Sequence, residues 1–299
     1  MDMLTVTGLY KKFGDKEVLR GLDLFVPEHS IYGFIGKNGA GKTTAMKTVL
    51  GLIPADRGEI YVGGERVLYG ETATNRLIGY LPDVPEFYSF MTAREYLLFC
   101  ADISGIEKHR ASVRADELLE LVGLKGESHR IKGFSRGMKQ RLGIAQALLG
   151  GPKLLICDEP TSALDPIGRK EILDILLKVA EHSTVLLSTH ILSDVERICT
   201  DVAFLSGGCA QIHGSISEIK TKYRSDEYLI ESETMEGVSI IADAFPGVKR
   251  VCDCTLTFLE RDHGLYEVLR FISEKKLPIV RFEKVEPTLE SLFMEAIDE

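Results

Sequence analysis

With 299 residues, 44% of them apolar and 27% charged, the chain is long enough for about two globular domains, each with its own core. A net charge of −9 argues against a nucleic-acid binder, whose footprint is a basic surface. No stretch approaches the roughly 18 consecutive apolar residues of a membrane span, Met1-Asp2-Met3 opens no signal peptide, and six Cys without C-x-x-C spacing read as reduced cytoplasmic thiols.

Over residues 1–218 short β-rich runs alternate with amphipathic helices. Ile31–Ile35, Leu154–Cys157 and Val185–Ser188 are apolar on both faces, which predicts buried parallel strands. Helices are predicted over Lys42–Leu50, Thr92–Cys100, Asp116–Leu121, Met138–Leu149, Ile167–Val179 and Ser193–Ile198. Thr92…Glu95 and Ser193…Glu196 have capping-box spacing, and Asp165-Pro166 supplies a cap and a first helical residue. Such alternation predicts an α/β fold with ligands at the carboxyl ends of its strands. After Gly214 the character changes, and polar Lys220–Glu227 reads as a linker. Strand Tyr228–Ile230, helix Gly237–Phe245, a hairpin within Val251–Phe258, helix Leu265–Ile272, strand Ile279–Phe282 and helix Leu289–Ile297 follow. In the last, Leu289, Leu292, Phe293 and Ala296 share a face. Residues 219–299 thus read as a small α+β domain for packing or interaction, with no chemical constellation of its own.

The chemistry lies earlier. Gly36-Lys37-Asn38-Gly39-Ala40-Gly41-Lys42-Thr43 fits G-x-x-x-x-G-K-[ST] between an apolar strand and a helix. Its glycines let successive N–H groups cradle the β- and γ-phosphates; Lys42 adds a point charge and the Thr43 hydroxyl can hold Mg²⁺. The run Leu154–Cys157 delivers Asp158 to the sheet edge to face Mg²⁺ through water, with Glu159 placed to polarise an attacking water. Two adjacent acids after a buried strand are costly without a cation, although a solvated strand end flanked by Pro160 would also accommodate them. A second anion seat lies near Gly133–Arg141: Ser135 in cap position, Gly137, then Met138, Leu142, Ala145 and Leu149 at helical spacing.

Together these residues resemble the ATP-binding subunit of an ATP-binding cassette (ABC) transporter. Gly36–Thr43 is similar to its Walker A motif, with Thr44 continuing the nucleotide-binding run; Leu154–Glu159 is similar to its Walker B motif with the catalytic Glu. Ser162-Ala163-Leu164-Asp165 is similar to the D-loop, and His190 to the switch His at the γ-phosphate. Phe13 corresponds to the aromatic residue on which adenine stacks, with Tyr10 the alternative. Phe134–Met138 resembles the signature motif, whose Ser135 and Gly137 would bind the γ-phosphate of ATP held by another subunit. The resemblance therefore implies an ATPase using ATP and Mg²⁺, with Glu159, His190 and Lys42 catalytic, in a homodimer or with a related ATPase subunit.

It also implies the fold: a P-loop NTPase core with a mostly parallel sheet, antiparallel N-terminal strands and a helical subdomain at about 84–150. Asp83 stands where the family usually has Gln and is the third residue expected at the metal; Arg136 and Met138 replace the usual Gly and Gln of the signature. These departures, with the tail Val285–Phe293, resemble the branch driving bacterial export of drugs, peptides or polysaccharides. An integral membrane permease would dock at about 85–96, where Phe87, Tyr88, Phe90 and Tyr96 predict a partly exposed aromatic groove, or serve as ordinary core. The subunit would sit peripherally on the inner face of the cell membrane. A soluble ABC ATPase of translation or repair, or an ATP-sensing regulator or immunity protein, are the alternatives; the single cassette and Glu159 argue against them.

Overall fold

Side-chain alternation explains the central sheet. In strand β3 (Ile31–Ile35) Ile31 faces one core and Tyr32 the other; in β7 (Leu154–Asp158) Leu155 and Cys157 face the first, Leu154 and Ile156 the second. In β8 (Thr184–Thr189) Val185 and Leu187 oppose Leu186 in the same way. A strand buried on both faces needs layers on both sides, and each apolar side chain so enclosed contributes roughly 1.5–3 kcal/mol. The computed structural model describes residues 2–70, 73–223, 226–286 and 288–292.

One layer is an antiparallel sheet of β1 (Asp2–Phe13), β2 (Lys16–Pro27), β4 (Arg57–Val62) and β5 (Glu65–Arg66), ordered β2-β1-β4-β5. The central sheet adds β6 (Ile78–Leu81), β9 (Asp201–Ser206) and β10 (Cys209–Ser215) in the order β10-β9-β3-β8-β7-β6, parallel except for β10. Helix α1 (Lys42–Val49) packs between the sheets through Ala45, Met46 and Val49. The other face carries α2 (Ala93–Ile103), α3 (Lys108–Leu121), α4 (Arg136–Ala147) and α5 (Pro166–Ala180). Along β3-β8-β7-β6, the carboxyl ends of neighbouring strands lead into the P-loop, His190, Glu159 and Asp83 respectively.

The Thr92…Glu95 box forms with both reciprocal bonds, a cap worth about 0.5–2 kcal/mol, and Asp165 caps α5 through Gly168 N–H. The Ser193…Glu196 box does not form. Helix α6 (Leu192–Ile198) starts one residue earlier from Ile191, and Asp194 turns inward to the Thr161 hydroxyl and Arg169. Helix α3 starts eight residues before the predicted Asp116, because its early buried positions are Ala111 and Ala115, too small to mark an apolar stripe. Part of the expected linker is helix α7 (Ile216–Lys222).

Contacts divide the chain after Ser217, with a second unit over Glu218–Leu292. There β11 (Glu227–Ser232), β12 (Lys249–Cys252), β13 (Thr255–Leu259) and β14 (Ile279–Lys284) form an antiparallel sheet ordered β12-β13-β11-β14. Its core takes Val238 and Ile241 from α8 (Met235–Ala244) and Val268 from α9 (Leu265–Lys275). Residues 289–292 are helical; Pro287, and Phe293 and Ala296 of the predicted last helix, lie outside the described residues.

Candidate functional site: a P-loop cleft

Gly41 caps α1 in the left-handed region at φ 112, where an added Cβ would meet Leu19 and the Val18 carbonyl at 3.0–3.1 Å. A Cβ on Gly36 would come within 2.8 Å of the Leu205 carbonyl. Both positions demand glycine. No side chain caps α1, so its first N–H groups are free to serve an anion. Lys42 is buried; its Nζ donates to the Gly36 carbonyl at 2.6 Å and lies 3.2 Å from Glu159 Oε1.

A cleft of about 530 Å³ opens over this loop. Asn38, Gly39, Gly41, Lys42, Thr43 and Thr44 line it from the loop; Asp83, Asp158 and Glu159 come from the strand ends, and Phe13 from the end of β1. Phe13 is half exposed, with Lys11 Nζ 5.4 Å from its ring centre. Tyr10, the alternative base platform, stands outside the lining, its hydroxyl close over Gly21. Ala40 packs into the core and Gly36 sits behind the loop, so neither lines the cleft. Lys16 and Val18 do, and sequence reasoning missed them, since nothing local marks a β2 residue as facing a ligand.

The Thr43 hydroxyl donates to Asp158 Oδ2 at 2.9 Å and the Ser188 hydroxyl to Oδ1 at 3.0 Å. Burial pushes the Asp158 carboxyl above its ordinary pKa, the two hydroxyls pull it back, and the Glu159 and Asp83 carboxylates push it further up. Ser188 was another missed residue; its signal was a hydroxyl ending a strand otherwise apolar on both faces. Glu159 has φ 49, a costly conformation for a non-glycine, pinned by its N–H donating to the Ser188 carbonyl. Its Oε2 lies 2.9 Å from His190 Nδ1, so one carboxylate bridges Lys42 and His190. His190 reaches the cleft only through Glu159.

The second seat lies elsewhere. Ser135 caps α4, its Oγ accepting from Met138 N–H at 3.2 Å, and neither Ser135 nor Gly137 lines the cleft. Ser135 is exposed and Gly137 half-buried. The predicted aromatic segment splits. Phe87 and Tyr96 pack together at 5.1 Å, Tyr96 buried in the core, whereas Tyr88 and Phe90 are more than half exposed. Phe99 joins Tyr88 edge-on at 5.4 Å. A larger cleft, about 1060 Å³, is lined from 75–80, 100–117 and 146–152, and no residue of 85–96 lines it. Tyr88, Phe90 and Phe99 form an exposed patch outside that cleft. Among the described residues no helix is long and apolar enough to cross a membrane.

A glycine loop feeding a helix, a buried lysine, a hydroxyl bonded to a strand-end aspartate and a neighbouring glutamate define a P-loop nucleotide-hydrolysing fold. Comparison with known proteins narrows the class. Residues 19–162 match the model of the ABC transporter family, and 214–297 the C-terminal domain of ATP-binding proteins like DrrA1-3. The ABC transporter ATP-binding protein YxlF of Bacillus subtilis is 38% identical over 99% of both chains. The bacitracin transport ATP-binding protein BcrA of Bacillus licheniformis is 44% identical over 69% of this chain and 67% of its own. A solved ATP-binding subunit of an ABC transporter superposes with TM-score 0.66 at 31% identity, covering 74% of this chain and 93% of that one. The chain belongs to the ATP-binding proteins of ABC transporters, which bind ATP and are ATPases coupled to transport.

Proposed function

We propose that this subunit powers export of a drug, peptide or other amphipathic cargo through a separate membrane permease. It works as a head-to-tail pair, with itself or a related ATPase subunit, on the inner face of the membrane. The observation that carries the reading is that one chain holds a phosphate cleft backed by buried Lys42 and Asp158 and, away from it, an exposed serine-capped helix N-terminus which that cleft does not use. Two chains facing each other would give each nucleotide both parts. A peptide cargo is supported by the bacitracin transport relative, and the export direction by the resemblance of Asp83, Arg136 and the tail Val285–Phe293 to the exporting branch.

In the mechanism, the N–H groups of Gly39 and Gly41–Thr44 and the Lys42 ammonium hold the β- and γ-phosphates, and Lys42 exchanges its contacts with Glu159 and the Gly36 carbonyl for phosphate oxygens. Phe13 stacks on adenine. Glu159, freed from Lys42 but still held by His190, orients water toward the γ-phosphorus and takes its proton. Thr43, Asp158 and Asp83 fit Mg²⁺: they are hard oxygen donors, and the cost of burying the Asp158 charge is relieved by a cation beside it. Mg²⁺ when bound neutralises charge on the phosphates. Ser135 and the α4 N-terminus of the opposing chain close on the γ-phosphate, and its loss on hydrolysis lets the chains part.

The test is Glu159→Gln, which keeps the fold but slows hydrolysis. In saturating ATP and Mg²⁺ it gives dimers that persist in sedimentation; monomers under those conditions overturn the paired arrangement. Purification from detergent-solubilised membranes brings along an integral membrane protein, and its absence overturns the transport role.

A further inference from the structure

Two charged side chains from distant segments, Asp83 and Arg136, meet in the structure. Asp83 follows β6 and lines the nucleotide cleft; its Oδ1 lies 3.4 Å from Nη2 of Arg136, the first residue of α4 and the neighbour of Ser135. Both side chains are half exposed. One turn further along α4 the joint is tight. Fully buried Gln140 donates from Nε2 to the Asp83 carbonyl at 2.7 Å, and a Cβ on Gly143 would fall 2.5 Å from Leu81 and 3.3 Å from Pro85. The backbone of the Asp83 loop is thus fixed to α4, while the Asp83–Arg136 ion pair above it is loose and solvated.

We propose that Arg136 is a positioning residue that competes with the cation of the chain's own cleft for the Asp83 carboxylate. Asp83 cannot serve both fully. With magnesium nucleotide in the cleft it turns from Arg136, which leaves that guanidinium, beside Ser135 at the α4 N-terminus, available to the nucleotide of the facing chain. Linkage is reciprocal: whatever draws Arg136 away, a partner's phosphate included, must strengthen cation binding at Asp83 by the same factor. The pair of charges would then couple the two nucleotide sites of a dimer positively. This rests on the reading of the cleft proposed above.

The test isolates the competition from dimerisation. ATP affinity is measured at protein concentrations that keep the chain monomeric, with Mg²⁺ and with EDTA, for wild type, Asp83→Asn, Arg136→Gln and the double variant. Removing Arg136 is expected to enlarge the Mg²⁺-dependent tightening by up to about fivefold, the scale of an exposed ion pair. Asp83→Asn reduces that tightening, and the double variant matches Asp83→Asn. The Arg136 effect fades in high salt, as a solvated pair requires. A residue that only supports the fold would shift both arms alike and lower the melting temperature. An unchanged Mg²⁺ ratio in Arg136→Gln, or an equal Arg136 effect with and without Asp83, overturns the proposal. A chain that never dimerises would still give the expected result, so failure of the paired arrangement is distinguishable from failure here.

Discussion

At Gly36–Thr43 the chain backs its anion site with buried charge: Lys42 and Asp158 are buried, and both Asp158 oxygens accept from side-chain hydroxyls. At Ser135–Met138 the anion site is open: Ser135 and Arg136 are exposed, and among the described residues the cap bond from Met138 N–H is the one hydrogen bond Ser135 Oγ accepts. Burial makes the first seat strong by itself, because charges there act in a low dielectric and were positioned during folding. A single helix N-terminus in water contributes only about 0.3–2 kcal/mol, too little to hold a phosphate unaided. The difference teaches that the second seat gains force only when another surface covers it and excludes water.

Lys42→Ala strikes the seat with the buried charge and has the largest effect. Loss of one preorganised charge at a developing oxyanion lowers turnover about 10²–10³-fold, and ATP binding to the monomer, read by calorimetry, falls with it. Ser135→Ala strikes the open seat. Turnover, read as phosphate release, falls about 10–100-fold, as expected for losing one hydrogen bond to a charged group, while the monomer's ATP affinity stays within about twofold because no ground-state contact is lost. Ser135→Thr, keeping both cap and hydroxyl, restores most of the turnover. Equal loss of monomer binding in Ser135→Ala would mean that both seats serve one cleft, and the comparison would break. Phe13→Ala lies between binding and chemistry: losing a base–aromatic stack worth about 1–3 kcal/mol raises the KM for ATP roughly tenfold and leaves kcat unchanged.

What the sequence could show follows the same division. The P-loop, Asp158 and Glu159 are contiguous runs set by strand and helix periodicity, and Leu154–Asp158 forms the strand that Leu154–Cys157 foretold. Contacts between distant segments were not legible. Ser188 bonds Asp158 from 30 residues away, and Gln140 bonds the Asp83 carbonyl across 57. Local pattern also misled at α6, where Ser193 and Glu196 have the spacing of a cap, but the helix starts at Leu192 and buried Asp194 turns inward to a partly exposed Arg169 and the Thr161 hydroxyl instead. Tertiary burial outweighed a local bond worth about 1 kcal/mol.

Phe90→Ala has the smallest effect on hydrolysis and sharpens the comparison most. Phe90 is 60% exposed, lies 5.9 Å from Tyr88, and lines neither cleft. Truncating it removes little buried area, so melting temperature and basal ATPase stay near wild type. An exposed aromatic patch is nevertheless costly to leave in water unless something covers it. If the membrane partner does so, Phe90→Ala lowers cargo transport in reconstituted vesicles several-fold and removes the stimulation of ATPase by that partner. Phe87→Ala, cut from a partly buried ring packed on Tyr96 and the core, instead costs about 1–3 kcal/mol of stability. Two aromatics three residues apart would then fail for different reasons, one by unfolding the helical layer and one by uncoupling it. Transport that survives Phe90→Ala intact would leave the patch without a coupling role.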